Sequence, residues 1–421
     1  LSSELEPIII RGGAHVSGEV AASGAKNSAL KLLAAALLAP GVSHIENVPD
    51  ISDVDTMVEV ISGLGALVER DGDIVTIDAT VLTSVEAPYD MVSRMRASIS
   101  VLGPLVARLG HASVAMPGGC NIGSRKVDMH ISGLRSLGVS FTLDHGNIVA
   151  SAPGGMRGAH VVLEFPSVGA TENLLMASVL AEGTTVIDNA AREPEIVDLA
   201  QFLSAMGARI SGAGSATIEV KGVESLAPAR HRVIGDRIEG ATYLMAGAIT
   251  GGSVRVTGID PAHIEMVLMK LEQAGCTVVS EADAVTVSRS GPLRAVDIQT
   301  LPFPGFPTDM QPQFMALMAI ADGDCVITEN VFENRFMFAG ELVRMGASIR
   351  IEGHHALVKG VRGLSGAPVL CPDLRAGAAL ALAALVAEGE SEIGDTQHIL
   401  RGYEGFVDKL AALGADIRTG R

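Results

Sequence analysis

The sequence predicts an α/β protein of two similar domains, each made of three copies of one helix-and-strand unit. Three observations predict it: the length, a helix terminator that recurs six times, and a second, wholly apolar helix alternating with the first. At 421 residues the chain exceeds what one hydrophobic core usually organises, so two cores are expected. The terminator is a Gly preceded by Leu or Met in most copies, at Gly65, Gly138, Gly207, Gly275, Gly346 and Gly414. Its intervals are 73, 69, 68, 71 and 68 residues. Such self-similarity marks stacked copies of one unit.

The first repeated helix is amphipathic. Met57, Val60, Ile61 and Leu64 fall at i, i+3, i+4 and i+7, as do Ile264, Val267, Leu268 and Leu271. Each set is one stripe of a half-buried helix, and the Gly that follows supplies the left-handed cap. The second helix is apolar nearly all round, in the copies Leu30–Leu38, Ser98–Arg108, Glu172–Leu180, Ala241–Ile249, Gln313–Ile320 and Ala378–Val386. A helix without a polar face belongs inside. Gly41, Gly110, Gly183 and Gly389 end four of these copies before a β-rich run. Each unit thus pairs an interior helix with a solvent-facing one and three to four short strands. Six units divide as three plus three, because one unit cannot cover its interior helix alone. An open solenoid fits less well, since the polar motifs differ from unit to unit.

Composition excludes several classes of function. A formal charge of −17 argues against a nucleic-acid-coating surface or a polybasic membrane anchor. Cys120, Cys276, Cys325 and Cys371 are far apart and lack metal-ligand spacing, so they read as reduced thiols of a cytosolic protein. The first residues show no secretory pattern, and the most apolar helical run, Gly377–Ala387, is too short to span a bilayer. Gly212 and Gly214 lie between two β-like runs and mark a hairpin. His354 and His355 would point to opposite faces of a strand, so they cannot chelate together.

Three polar segments interrupt the regular background. Ser23-Gly24-Ala25-Lys26-Asn27-Ser28 opens an interior helix, where free N–H groups and the macrodipole favour an anion and Lys26 could meet it. A Ser or Asn cap beside a solvated Lys explains the same residues equally well. Pro117-Gly118-Gly119-Cys120 continues through Gly123 to Arg125 and Lys126, whose charges could lower the thiol pKa. A Cys in such a loop suits an acid or nucleophile, whereas the other three read as buried. Phe306-Pro307-Thr308-Asp309-Met310-Gln311 sets a carboxylate before an interior helix, a frequent capping position. Arg335, Arg375 and Arg401 are cations that could serve it, though each alone reads equally as a surface ion pair. Arg375 directly precedes the very apolar last interior helix, a place that favours burial over solvation.

At these residues the chain resembles the UDP-N-acetylglucosamine enolpyruvyl transferase family. The resemblance covers essentially the whole chain. It includes Gly24-Ala25-Lys26-Asn27, Met95-Arg96-Ala97-Ser98, Pro117-Gly118-Gly119-Cys120, Ser167-Val168-Gly169-Ala170-Thr171, Ala191-Arg192-Glu193-Pro194-Glu195, Pro307-Thr308-Asp309-Met310-Gln311, Val331-Phe332-Glu333-Asn334-Arg335-Phe336, Asp373-Leu374-Arg375-Ala376 and Arg401-Gly402-Tyr403-Glu404. It implies an enolpyruvyl-transferase-like fold of six βαβαββ units, three per domain. The implied domains are 26–234 and 1–25 with 235–421, and the active site is expected in the cleft between them.

The resemblance also implies the chemistry. The enolpyruvyl group of phosphoenolpyruvate passes to the 3′-hydroxyl of UDP-N-acetylglucosamine by addition and elimination, the first committed step of peptidoglycan synthesis. Cys120 resembles the acid, and the thiol that fosfomycin-type epoxides alkylate. Asp309 resembles the group that takes the hydroxyl proton. Lys26, Arg125 and Arg401 resemble the phosphoenolpyruvate clamp, with Arg96, Arg335 and Arg375 around it. Asn27, Ser167, Val168, Gly169 and Val331 resemble contacts to the UDP-sugar, and Lys126, Val127 and Asp128 are further expected substrate-binding residues. No metal or cofactor is implied, and the expected partners are these two small molecules in the cytoplasm, not nucleic acid or membrane.

Three positions depart from the family pattern. Lys126 stands where Pro is usual, Phe165-Pro166 replace Lys-Val, and Leu400 replaces Asp. The Phe165 change removes a cation expected near the diphosphate, and Lys126 puts one nearby. A paralogue acting on another uridine nucleotide such as UMP is therefore the alternative reading. A non-catalytic nucleotide-binding scaffold should have lost Cys120 or Asp309, and both are present.

Overall fold

The computed structural model describes residues 6–87, 95–116 and 127–420, apart from the Arg96 side chain. The chain separates into two compact units, one of residues 24–116 and 127–234 and the other of residues 6–23 and 235–420. Each unit has its own hydrophobic core.

The first unit carries helices α1 (Lys26–Ala35), α2 (Ser52–Gly63), α3 (Leu102–Leu109), α4 (Asp128–Ser136), α5 (Val168–Ser178) and α6 (Pro194–Ala205). The second carries α7 (Arg237–Thr250), α8 (Glu265–Gln273), α9 (Gln311–Met318), α10 (Ala339–Arg344), α11 (Leu374–Ala384) and α12 (Phe406–Ala412). The odd-numbered helices are the apolar ones. Every residue of α7, α9 and α11 is buried, so each is covered on all sides by its own unit. The even-numbered helices bury only part of their surface; α2 buries Asp53, Val54, Met57, Val60 and Ile61.

All six recurring glycines end a helix by the same device. Their φ angles lie between 94° and 107°, where a side chain would be strained. Gly65 N–H donates to the Ser62 carbonyl at 2.9 Å and Ala66 N–H to the Ile61 carbonyl at 3.2 Å. The same pair of bonds recurs at Gly138, Gly207, Gly275, Gly346 and Gly414. Two orphan carbonyls are satisfied each time, and the chain turns back into a strand.

Two interior copies differ from the expected continuous helix: α1 ends at Ala35 and is followed by a 3-10 turn, Ala36–Leu38, and the second copy begins as one. Residues Arg96–Val101 form a 3-10 helix, and α3 starts only at Leu102. Pro104 explains the late start: it has no N–H, and its ring clashes with a carbonyl four residues back, so it fits only the first helical turn. As expected, Gly212 and Gly214 do sit in a hairpin, between the antiparallel strands Arg209–Ser211 and Thr217–Lys221.

Six four-stranded sheets are present among the described residues. In the sheet of Glu86–Ala87, His111–Ala115, Ser140–Asp144 and Asn147–Ser151, the first two strands run parallel. The fourth strand pairs antiparallel to both the second and the third. A parallel pair needs a crossover, and α3 provides it. Three sheets are completed from far along the chain, one of them by Gly18–Ala21 lying parallel to Ser253–Thr257. Arg230–Arg232 lies parallel to Val42–Glu46. Strand Ile8–Arg11 lies between Glu390–Gly394 and Asp416–Thr419, antiparallel to both. None of the helices among the described residues is long and apolar enough to cross a membrane.

One buried acid gives the second unit a pH dependence. Glu239, in the first turn of α7, accepts hydrogen bonds from Lys409 Nζ at 2.6 Å and from the Ser23 N–H at 2.7 Å. Burial raises its pKa from 4.5 to about 7, although Lys409 pulls the other way. The folded pKa lies above the unfolded one, so folding favours the protonated carboxyl. Its contribution is intact below the unfolded pKa and is lost as pH rises through the folded pKa, a change on the order of 3 kcal/mol. Glu239→Gln is expected to flatten the fall in thermal midpoint between about pH 5 and about pH 8. An unchanged slope would assign that fall to other groups.

Candidate active site

Asp309 lies in the one-turn helix Thr308–Met310 that leads into α9. It is not a cap, because no side chain caps that turn. Its Oδ1 accepts from Arg335 Nη2 at 3.2 Å, and its Oδ2 accepts from Arg375 Nε and Nη2 at 3.2 and 3.1 Å. The Arg335 and Arg375 side chains are 2% and 3% exposed, against 27% for Asp309: Arg375 is buried, in line with its place before the apolar last interior helix, and Arg335 is buried too, against its reading as a surface ion pair. Such buried charges require partners.

Local structure fixes both cations. Asp373 caps α11 by accepting from the Arg375 and Ala376 N–H groups at 2.9 and 3.0 Å, which sets Arg375 in the first turn. The Arg375 guanidinium lies 5.3 Å over the Tyr403 ring, whose hydroxyl is bonded to Thr242 and Gln313. Burial opposes the Arg375 charge, but Asp309 and its other neighbours outweigh burial and raise its pKa. Arg335 Nε and Arg375 Nη1 are buried without a hydrogen-bond partner among the described residues. Two guanidinium groups converge on one carboxylate and keep donors unmet among the described residues, which suits the site to an anion. Arg401 follows the one-turn helix Gln397–Leu400. Burial, and then the Arg401 charge, hold His398 below the usual histidine pKa, which favours the neutral ring.

In the other unit the Gly24–Ser28 segment is not capped by Ser or Asn. The N-cap of α1 is Ala25, without a side-chain cap bond. Lys26 is buried rather than solvated, and its Nζ donates to Asp53 Oδ2 at 2.7 Å. Ser28 donates to Asp198, whose carboxylate also bonds His231 at 2.7 Å, so the start of α1 is held from α6. Asn27 is half-buried beside Lys26.

Ser167 is the N-cap of α5, its Oγ accepting from the Ala170 N–H at 3.3 Å, so Val168 and Gly169 form the first turn. A Cβ at Gly169 would come within 3.2 Å of the His130 ring. That ring is held by Asn173 Nδ2 at 2.8 Å, and Asn173 also accepts from the Gly103 N–H at 2.9 Å. Val127 and Asp128 start α4. A groove of about 340 Å³ runs from Asp128, Met129 and Ser132 to strand His160–Val162, Leu163 and Glu164. Phe165 is 40% exposed beyond the end of that groove.

Cys120, Arg125, Lys126 and the Arg96 side chain lie outside the described residues. The remaining cysteines are all buried. Burial pushes the Cys276 thiol up to about 11 and Cys325 up to about 12, and raises Cys371 further. Sequence reasoning missed Asp53, His130, Asn173 and Glu329. For Glu329 a signal existed. Cys325 and Ile327 face inward along strand Asp324–Thr328, and carrying its period of two one step past the strand end places the Glu329 carboxylate inside.

The chain matches the family model of EPSP synthase (3-phosphoshikimate 1-carboxyvinyltransferase) over residues 10–410. It is 55% identical over 412 residues to the UDP-N-acetylglucosamine 1-carboxyvinyltransferase of Mycolicibacterium paratuberculosis, covering 98% of this chain and 99% of that protein. It is 50% identical over 414 residues to the protein of the same name from Geobacter metallireducens, with 98% and 99% covered. Among solved structures, the enolpyruvyl transferase NikO from Streptomyces tendae matches with a TM-score of 0.88, at 30% identity and 99% coverage of each chain. EPSP synthase from Acinetobacter baumannii shares the fold, with a TM-score of 0.76 at 18% identity over 99% of this chain and 100% of that one.

Proposed function

The chain belongs to the UDP-N-acetylglucosamine 1-carboxyvinyltransferases of the EPSP synthase family, and from that premise we propose that it transfers the enolpyruvyl group of phosphoenolpyruvate to the 3′-hydroxyl of UDP-N-acetylglucosamine, releasing phosphate. The observation that carries the proposal is Asp309 held between two buried arginines with donors to spare. A reaction that adds a hydroxyl to an anionic enol ester needs a proton acceptor set in a cation-rich pocket.

In this reading Cys120 delivers a proton to the methylene carbon of phosphoenolpyruvate. The adjacent carbon gains oxocarbenium character and is attacked by the sugar 3′-oxygen, whose proton passes to Asp309. The new methyl group returns a proton to the Cys120 thiolate as phosphate departs with the C–O bond pair, which restores the carbon–carbon double bond of the enolpyruvyl group now attached to the sugar oxygen. Lys26, Arg125 and Arg401 hold the phosphate and carboxylate of phosphoenolpyruvate, with Arg96, Arg335 and Arg375 stabilising charge around them. Asn27, Val127, Asp128, Ser167, Val168, Gly169 and Val331 hold the nucleotide sugar. The groove beside Asp128 supports placing the uridine end there. Because Phe165 offers no charge, Lys126 and the N-terminus of α5 meet the diphosphate in this reading.

The reading draws on residues of both units, in a cytoplasmic enzyme that commits the amino sugar to peptidoglycan. Phosphate release with phosphoenolpyruvate, measured against UDP-N-acetylglucosamine, other UDP-sugars and UMP, tests it. The highest kcat/KM is expected with UDP-N-acetylglucosamine. A higher value with UMP would overturn the acceptor, and no release with any of them would overturn the reaction.

A further inference from the structure

Glu329 has no part in the chemistry above, yet its carboxylate is 1% exposed and surrounded by donors. It follows strand Asp324–Thr328. Oε1 accepts from the Val331 N–H at 2.8 Å, the Phe332 N–H at 3.1 Å and the Thr300 hydroxyl at 2.8 Å. Oε2 accepts from the Thr308 hydroxyl at 3.0 Å. Thr300 braces the same turn, its Oγ1 accepting from the Asn330 N–H at 2.9 Å and its carbonyl from Asn330 Nδ2 at 3.1 Å.

A buried charge is tolerated only where donors replace its water, and these four do so. What they belong to matters more than their number. The Oε1 side fixes the turn that presents Val331 and leads toward Arg335. The Oε2 side fixes Thr308, the residue before Asp309. One rigid carboxylate therefore ties the acceptor-binding turn to the turn bearing the base, through separate oxygens.

We propose that Glu329 is a positioning residue that sets the Val331 contact and the Asp309 carboxylate in a common register. The proposal rests on the enolpyruvyl-transfer reading above. A base displaced by a fraction of an ångström loses much of its effect on the reacting group, while a displaced binding contact weakens ground state and transition state alike. The two oxygens should therefore be separable by kinetics.

Thr308→Val removes only the Oε2 bond. It is expected to lower kcat about tenfold, with KM for UDP-N-acetylglucosamine within about twofold of wild type. Thr300→Val removes the Oε1 bond and its brace on Asn330. It is expected to raise that KM about tenfold with kcat within about twofold. Thr308→Ser and Thr300→Ser keep the hydroxyls and should restore wild-type values. Glu329→Gln should keep the lower KM, because its amide oxygen can hold the Val331 turn while the Thr308 hydroxyl reverses to accept from the amide. If both valine variants change kcat and KM in parallel, or change neither, Glu329 is structural and the proposal is overturned. A wild-type enzyme that releases no phosphate with UDP-N-acetylglucosamine would instead overturn the functional reading, and this proposal with it.

Discussion

Asp309→Asn is expected to lower kcat by about 10²–10⁴-fold, the usual loss on removing a general base, while the UDP-sugar still binds. An amide has nearly the shape of the carboxylate but cannot take the 3′-hydroxyl proton. It also turns a donor toward a guanidinium. Arg335 and Arg375 meet different oxygens of Asp309, so one of them must face an N–H group. A buried donor left unmet costs about 1–3 kcal/mol, and the thermal midpoint should fall accordingly. Phosphate release, UDP-sugar titration and a melt of the same preparation give all three readings. A kcat within about threefold of wild type would leave Asp309 as an ionic anchor for the arginines rather than the base.

The second large effect concerns Cys120. Cys120→Ser is expected to lose most turnover, at least about 10²-fold, and all labelling by fosfomycin-type epoxides. The other cysteines supply the contrast. The Cys276 thiol is raised to about 11 and Cys325 to about 12, so almost none of either is thiolate at neutral pH. One label per chain is therefore expected, located by peptide mass spectrometry, with Cys276→Ser unchanged in rate and labelling. Cys120→Asp should keep turnover yet escape the epoxide, since a carboxylic acid can donate a proton without the sulfur nucleophile. Wild-type rates in Cys120→Ser, or equal labelling of Cys276, would sink the assignment.

The regular part of this fold was legible because its rules are local. A Gly at each helix end must adopt positive φ, and a helix apolar on every face must be buried, so six glycines and six apolar runs mapped directly onto structure. The Pro104 turn obeyed an equally local rule, although the sequence reading carried a continuous helix through it. The site was legible in its residues but not in its pairings. Asp309 and Arg375 are 66 positions apart, and Lys26 and Asp53 are 27 apart. No periodicity links them, which is why Asp309 read equally as a cap and Lys26 as solvated. The burial of Arg335 came from the same blind spot, since it lies in a loop where neither helix nor strand period applies. Glu329 was within reach, because strand alternation points it inward; what alternation could not show was that its donors hold up the site.

The sheet that is closed by strand Ile8–Arg11 imposes an order on synthesis. Its neighbours, Glu390–Gly394 and Asp416–Thr419, are the last of the described strands to leave the ribosome. At about 5–20 residues per second, the first strand waits roughly 20–80 seconds for them. Meanwhile the unit of residues 24–234 emerges whole and can complete all of its own sheets, including the return strand Arg230–Arg232. The nascent chain thus carries a finished inner unit with an apolar strand, Ile8-Ile9-Ile10, still unpaired at its head. That strand stays open to chaperone capture and to pairing with a neighbouring nascent chain until strand Asp416–Thr419 has been made.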